Sequence, residues 1–79
     1  MSLTEELYLY ILSRGEKGAS SMQINERLGI SFAATEVSRL RRKYPDKTPC
    51  TTKRKNSRGA YYNIYYHPKY APENAIREV

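Results

Sequence analysis

Along the first 44 residues apolar side chains recur at helical spacing, and from residue 50 onward they alternate. Leu3, Leu7, Tyr10 and Ile11 line one face of a predicted helix, which Tyr8, Leu9 and Leu12 widen. Ser2 or Thr4 can cap it, Ser2 with Glu5 in a capping box, and Gly15 stops it. Arg14 to Gly18 reads as a polar turn. A second helix is expected from Ser20 or Ser21, with Ser20 and Gln23 as a capping box. Met22, Ile24 and Leu28 supply its apolar contacts, and Gly29 ends it. Ile30 then anchors the turn, and Ser31 is placed to cap a third helix. On that helix Ala33, Val37, Leu40 and Tyr44 fall within about 60° of one another, a narrow core stripe. Pro45 ends it, because the residue before a proline avoids the α region.

The period then changes from 3.6 to 2. Cys50 to Arg54 is compatible with a strand, and Ala60 to Tyr66 strongly so. Between them Lys55-Asn56-Ser57-Arg58-Gly59 makes the long basic tip of a hairpin. Tyr62, Ile64 and Tyr66 share one face of the second strand, and Tyr61, Asn63 and Tyr65 the other. The face with Ile64 is expected to meet the core. The segment from Pro68 shows no clear period.

Charge changes the picture more than composition does. The 79 residues are 39% hydrophobic and 28% charged, enough for one small domain with a modest core. The formal net charge is +6, but it is concentrated. Residues 39–69 hold ten lysines and arginines against a single acid, Asp46. With a pI of about 9.6, such a block is the expected footprint of a polyanion partner. A solvated basic surface that only aids solubility is the plainer alternative.

The order helix, helix, tight turn, helix, basic hairpin makes the chain α+β, a three-helix helix-turn-helix core followed by a two-stranded wing. The stretch Gly18-Ala-Ser-Ser-Met-Gln-Ile-Asn-Glu-Arg-Leu-Gly-Ile-Ser31 resembles the first half of bacterial and phage winged helix-turn-helix domains. Val37-Ser-Arg-Leu-Arg-Arg42 and the basic hairpin with its Tyr-rich strand are similar to a small phage and prophage group of such domains. Compared with the shortest helix-turn-helix repressors, Val37-Ser38-Arg39 follows Gly29 later, so the turn or the start of the third helix is longer here. The resemblance implies a winged helix-turn-helix domain over residues 1–68 and a C-terminal tail over 69–79. It also implies a double-stranded DNA partner and work as a small transcriptional regulator or recombination accessory factor, in the cytoplasm of a bacterial or phage-infected cell.

Opposite the core stripe of the third helix lie Ser31, Thr35, Ser38 and Arg42, with Arg39 beside them. Helix-turn-helix proteins put this kind of face into the major groove. Small hydroxyls allow close approach, and arginines read guanine or hold phosphate. Arg41 and Lys43 add phosphate contacts; alternatively, Arg41, Arg42 and Lys43 serve only to balance the helix macrodipole. At the hairpin, Lys53, Arg54, Lys55, Asn56, Ser57 and Arg58 can reach the backbone or the minor groove. Their structural alternative is protection of a sheet edge by lysine. A different class of function stays open: a winged-helix interaction module in which Leu9, Tyr61 and Tyr65 contact a protein or a second copy. RNA binding through the same patch is a third.

Chemistry of other kinds has little to rest on. One cysteine, Cys50, and one histidine, His67, cannot make a disulfide, a structural zinc site or most nucleophile–base pairs. The four glycines are dispersed as turn residues, so no phosphate loop is present. Enzyme activity, a bound cofactor or metal, a small-molecule substrate and a membrane partner are therefore not expected. No apolar run approaches the roughly 20 residues of a membrane span, and no secretory leader is evident.

Overall fold

The computed structural model describes residues 2–77. Three helices come in the expected order: α1 (Leu3–Arg14), α2 (Ser21–Leu28) and α3 (Ala33–Lys43). The Ser2 hydroxyl accepts the Glu5 amide at 3.2 Å to open α1, and Leu7 and Ile11 are buried beneath it. Both bonds of the Ser20–Gln23 capping box are made at the start of α2. Gly29 adopts the left-handed conformation that a Cβ disfavours, and its amide donates to the Asn25 carbonyl at 2.8 Å. Ile30 is buried just beyond, its carbonyl held by the Asn25 side-chain amide.

The chain is α+β, and its helices are joined by an antiparallel sheet. The hairpin consists of β2 (Cys50–Lys55) and β3 (Tyr61–Tyr66), but it is not a sheet by itself. A two-residue strand, β1 (Ala19–Ser20), pairs with the root of β3, and β4 (Ile76–Arg77) pairs with the root of β2. The order is β1-β3-β2-β4. Two-residue strands carry too few positions for a period of 2 to show, so the sequence pattern misses both. The tight Asn56–Gly59 turn crosses over the end of the hairpin, where Asn56 Oδ1 accepts the amides of both Arg58 and Ala60.

The main core joins Leu7, Ile11, Ala19, Ile24, Ile30, Ala33, Val37 and Tyr65. It corrects several expectations. Tyr65, a candidate for a partner surface, is only 2% exposed, and Tyr62, expected in the core, is 38% exposed. Ala19 lies opposite Tyr65 in the β1–β3 pair, so the face bearing Tyr65 meets the helices and the Ile64 face is turned away from them. Tyr66 is nonetheless buried, with its ring against Gly18 on that second face. Aromatic residues on both faces of β3 leave alternation unable to choose between them.

Smaller corrections concern the helices. Met22 is 71% exposed and makes no core contribution. Leu3 and Leu9 are exposed on α1. Ser31 does not cap α3: the N-cap is Phe32, and no side chain satisfies the first amides. Tyr44 is the C-cap of α3 and is half-buried, so the stripe ends at Leu40. Among the described residues, no helix is long and apolar enough to cross a membrane.

Candidate nucleic-acid interface

Two cationic surfaces stand on a common base. α3 packs on α1 and α2, and β3 packs on the same two helices. The exposed side of α3 and the hairpin are thus each held by the core. The molecule measures 36 × 28 × 20 Å, so its long axis matches about one turn of duplex DNA.

On α3, Ser31, Thr35, Arg39 and Arg42 are exposed, and Ser38 is half-buried. Arg39 is committed locally: its guanidinium donates to Glu36 Oε1 at 2.8 Å, one turn earlier. Arg39 is 63% exposed but Glu36 only 12%, so handing the guanidinium to another anion would leave a mostly buried carboxylate without its partner. Arg41, Arg42 and Lys43 form the last turn, where positive charge suits the carbonyl end of the helix. Arg41 is half-buried, and the Lys43 ammonium lies 5.4 Å from the Tyr44 ring centroid.

On the hairpin the division is sharp. Cys50, Thr51 and Thr52 are buried at the root, and every residue from 53 to 60 is exposed. Lys53, Arg54, Lys55, Asn56, Ser57 and Arg58 all lie in that stretch, and the sequence offers no acid from 47 to 69 to neutralise them. Lys53 and Lys55 share a face with Asn63 and Tyr61, while Arg54 pairs with Tyr62 on the other. The Lys55 ammonium sits 5.7 Å from the Tyr61 ring centroid. Asn56 uses its side-chain oxygen to hold the turn, which leaves its amide NH2 as a donor. What the surface can do chemically is present five or more cations and several neutral donors to a polyanion.

The tenfold excess of base over acid includes one cation withdrawn from this role. Lys47 lies between two rings, 4.9 Å from the Tyr8 centroid and 4.8 Å from that of Tyr44. Nothing in the sequence pattern marks Phe32, the one phenylalanine, yet it is 74% exposed at the mouth of α3. Of the residues considered for a protein-docking surface, Leu9 and Tyr61 are exposed and Tyr65 is not.

No family model matches the chain, and neither a curated protein nor a solved structure does.

Proposed function

We propose that the chain is a winged helix-turn-helix protein that binds duplex DNA, with α3 as the recognition helix and the β2–β3 hairpin as the wing. The observation that carries the reading is the hairpin tip: eight consecutive exposed residues, 53–60, four of them basic and none acidic. A tip meant only to keep a sheet edge soluble needs a charge or two, and mixed signs serve as well. Four cations without counter-charge fit a run of phosphates. The α3 surface supports the same reading, with small hydroxyl side chains early on the helix and arginines late, the order in which a helix N-terminus meets bases and its later turns meet backbone. The role that the resemblance of residues 18–42 and the hairpin implies is that of a phage- or prophage-type transcriptional regulator or recombination accessory factor.

The test is duplex binding titrated across salt, with single-stranded DNA and duplex RNA as controls. If about five cations meet phosphates, the slope of log affinity against log salt is near −4 to −5. A slope near zero removes duplex DNA as the partner, and equal or tighter binding of either control moves the partner to that nucleic acid.

A further inference from the structure

The exposed phenylalanine points to what the helix would read. Phe32 is the N-cap of α3, with non-helical backbone angles (φ −126°, ψ 84°) and no capping hydrogen bond from its side chain. Serine, threonine, aspartate and asparagine are the ordinary choices at this position, because their oxygens satisfy the first helical amides. Here an aromatic ring takes the place and is left in water, outside the core that Ile30 and Ala33 enter on either side of it. Ser31, Ala34 and Thr35 are exposed around it.

The same turns lack the usual instruments of base recognition. From Ser31 to Ser38 there is no arginine, lysine, asparagine or glutamine. Guanine is ordinarily read by a bidentate arginine or lysine and adenine by asparagine or glutamine, so neither can be read that way here. A glutamate can accept from the amino group of cytosine, but Glu36 is mostly buried and its carboxylate holds Arg39 at 2.8 Å. The hydroxyls of Ser31, Thr35 and Ser38 bond donors and acceptors alike and so do not by themselves name a base. The 5-methyl group of thymine, by contrast, is an apolar base-edge feature that only apolar contact can read. Phenylalanine, alanine and the threonine methyl are the side chains that contact it, and α3 opens with all three exposed.

We infer that the N-terminal turn of α3 recognises thymine through its 5-methyl group, with Phe32 as the principal contact and Ala34 and Thr35 beside it. This rests on the duplex-binding reading above and specifies it: the preferred site carries thymine where α3 enters the groove, and the arginines later on the helix supply affinity more than choice.

A duplex selected by the protein from a random library is the probe, remade with each thymine in turn replaced by deoxyuridine, which removes only the methyl. Wild-type protein is expected to lose about fourfold in affinity at one or two positions, the effect of one methyl-sized group withdrawn from apolar contact. Phe32→Ala is expected to weaken binding of the thymine duplex and to bind the uracil duplex equally well, and Phe32→Leu to keep part of the difference. The ring is exposed, so the melting temperature of Phe32→Ala should match that of the wild type, which separates lost contact from lost fold. A selected site without thymine overturns the inference, as does a wild-type protein indifferent to uracil or a Phe32→Ala variant that keeps the full thymine preference. If those results come with salt-dependent duplex binding intact, the inference alone fails; if no duplex is bound at all, both readings fail together.

Discussion

The Tyr8 hydroxyl and His67 Nε2 lie 3.2 Å apart and fasten the first helix to the residue that follows β3. The Lys69 amide donates to His67 Nδ1 at 3.1 Å. That bond needs an unprotonated Nδ1, so the neutral ring carries its hydrogen on Nε2 and donates to Tyr8. Burial, and then the nearby Lys69 charge, hold the His67 pKa below its ordinary 6.5. The unfolded chain therefore takes up the proton first as pH falls, and stability declines through about pH 6.5 until the folded ring is protonated as well. Thermal melts of wild type and His67→Asn should converge or cross as pH drops from about 7.5 to 5.5, with the wild type losing more. Parallel curves over that window would show that His67 does not couple protonation to folding.

Of the four glycines, Gly18 is the one least able to accept a side chain. Its φ is +71°, and a Cβ there would stand 2.6 Å from Tyr66 Cε1 and 2.7 Å from Ile64 Cγ2. Gly29 also has positive φ, at +68°, but nothing lies within 4 Å of a Cβ built on it. Gly29→Ala should cost about 1–2 kcal/mol from backbone strain alone. Gly18→Ala adds overpacking to strain and should cost about 2–6 kcal/mol. Urea unfolding of the two variants decides it, and equal losses would mean that the Tyr66 ring yields freely.

Leu40 is fully buried where α3 meets the rest of the molecule. Leu40→Ala should destabilise by about 2–5 kcal/mol, the range for a cavity left by a buried leucine. An unchanged melting temperature would place the buried side of α3 elsewhere and would move the exposed side with it.

On the proposed reading, holding and reading belong to different elements. Lys55→Ala or Arg58→Ala should weaken selected and random duplexes about equally and lower the magnitude of the salt slope by roughly one. Thr35→Ala or Ser38→Ala should instead reduce discrimination between the two, by about 0.5–1.5 kcal/mol for one neutral base-edge hydrogen bond lost. Arg42 lies in the last turn of α3, so Arg42→Ala should weaken both duplexes about equally. Should the hairpin variants lose discrimination while the helix variants do not, the wing is the reader, through a narrow minor groove.

Much of the helical part was legible in the sequence, because helix boundaries are written in single residues. Ser20 with Gln23, Gly29 and Pro45 each act within a turn of where they stand, and Ala33, Val37 and Leu40 are buried as their spacing requires. The sheet was harder, since a strand face is chosen by whatever packs on it. Tyr61 and Tyr62 are chemically identical neighbours of Tyr65 and Tyr66, and only the approach of β1 and the helices decides that the second pair is covered. Arg39 illustrates the same limit on the candidate interface: its spacing from Glu36 permits an ion pair, but equally permits a free cation. Phe32 was invisible for the opposite reason, as a lone phenylalanine is ordinarily taken to be interior.

The abrupt change at Thr52 and Lys53, from buried to exposed, makes the hairpin a cantilever. Its root is clamped between β1 and β4, while its tip bears no part of the weight of the fold. Substitutions from 53 to 60 that spare Asn56 and Gly59 can thus alter what the tip touches while the melting temperature stays put. For a lineage under pressure to change targets, that is a mutable appendage on a fixed chassis, and tip sequences can diverge faster than the body that carries them.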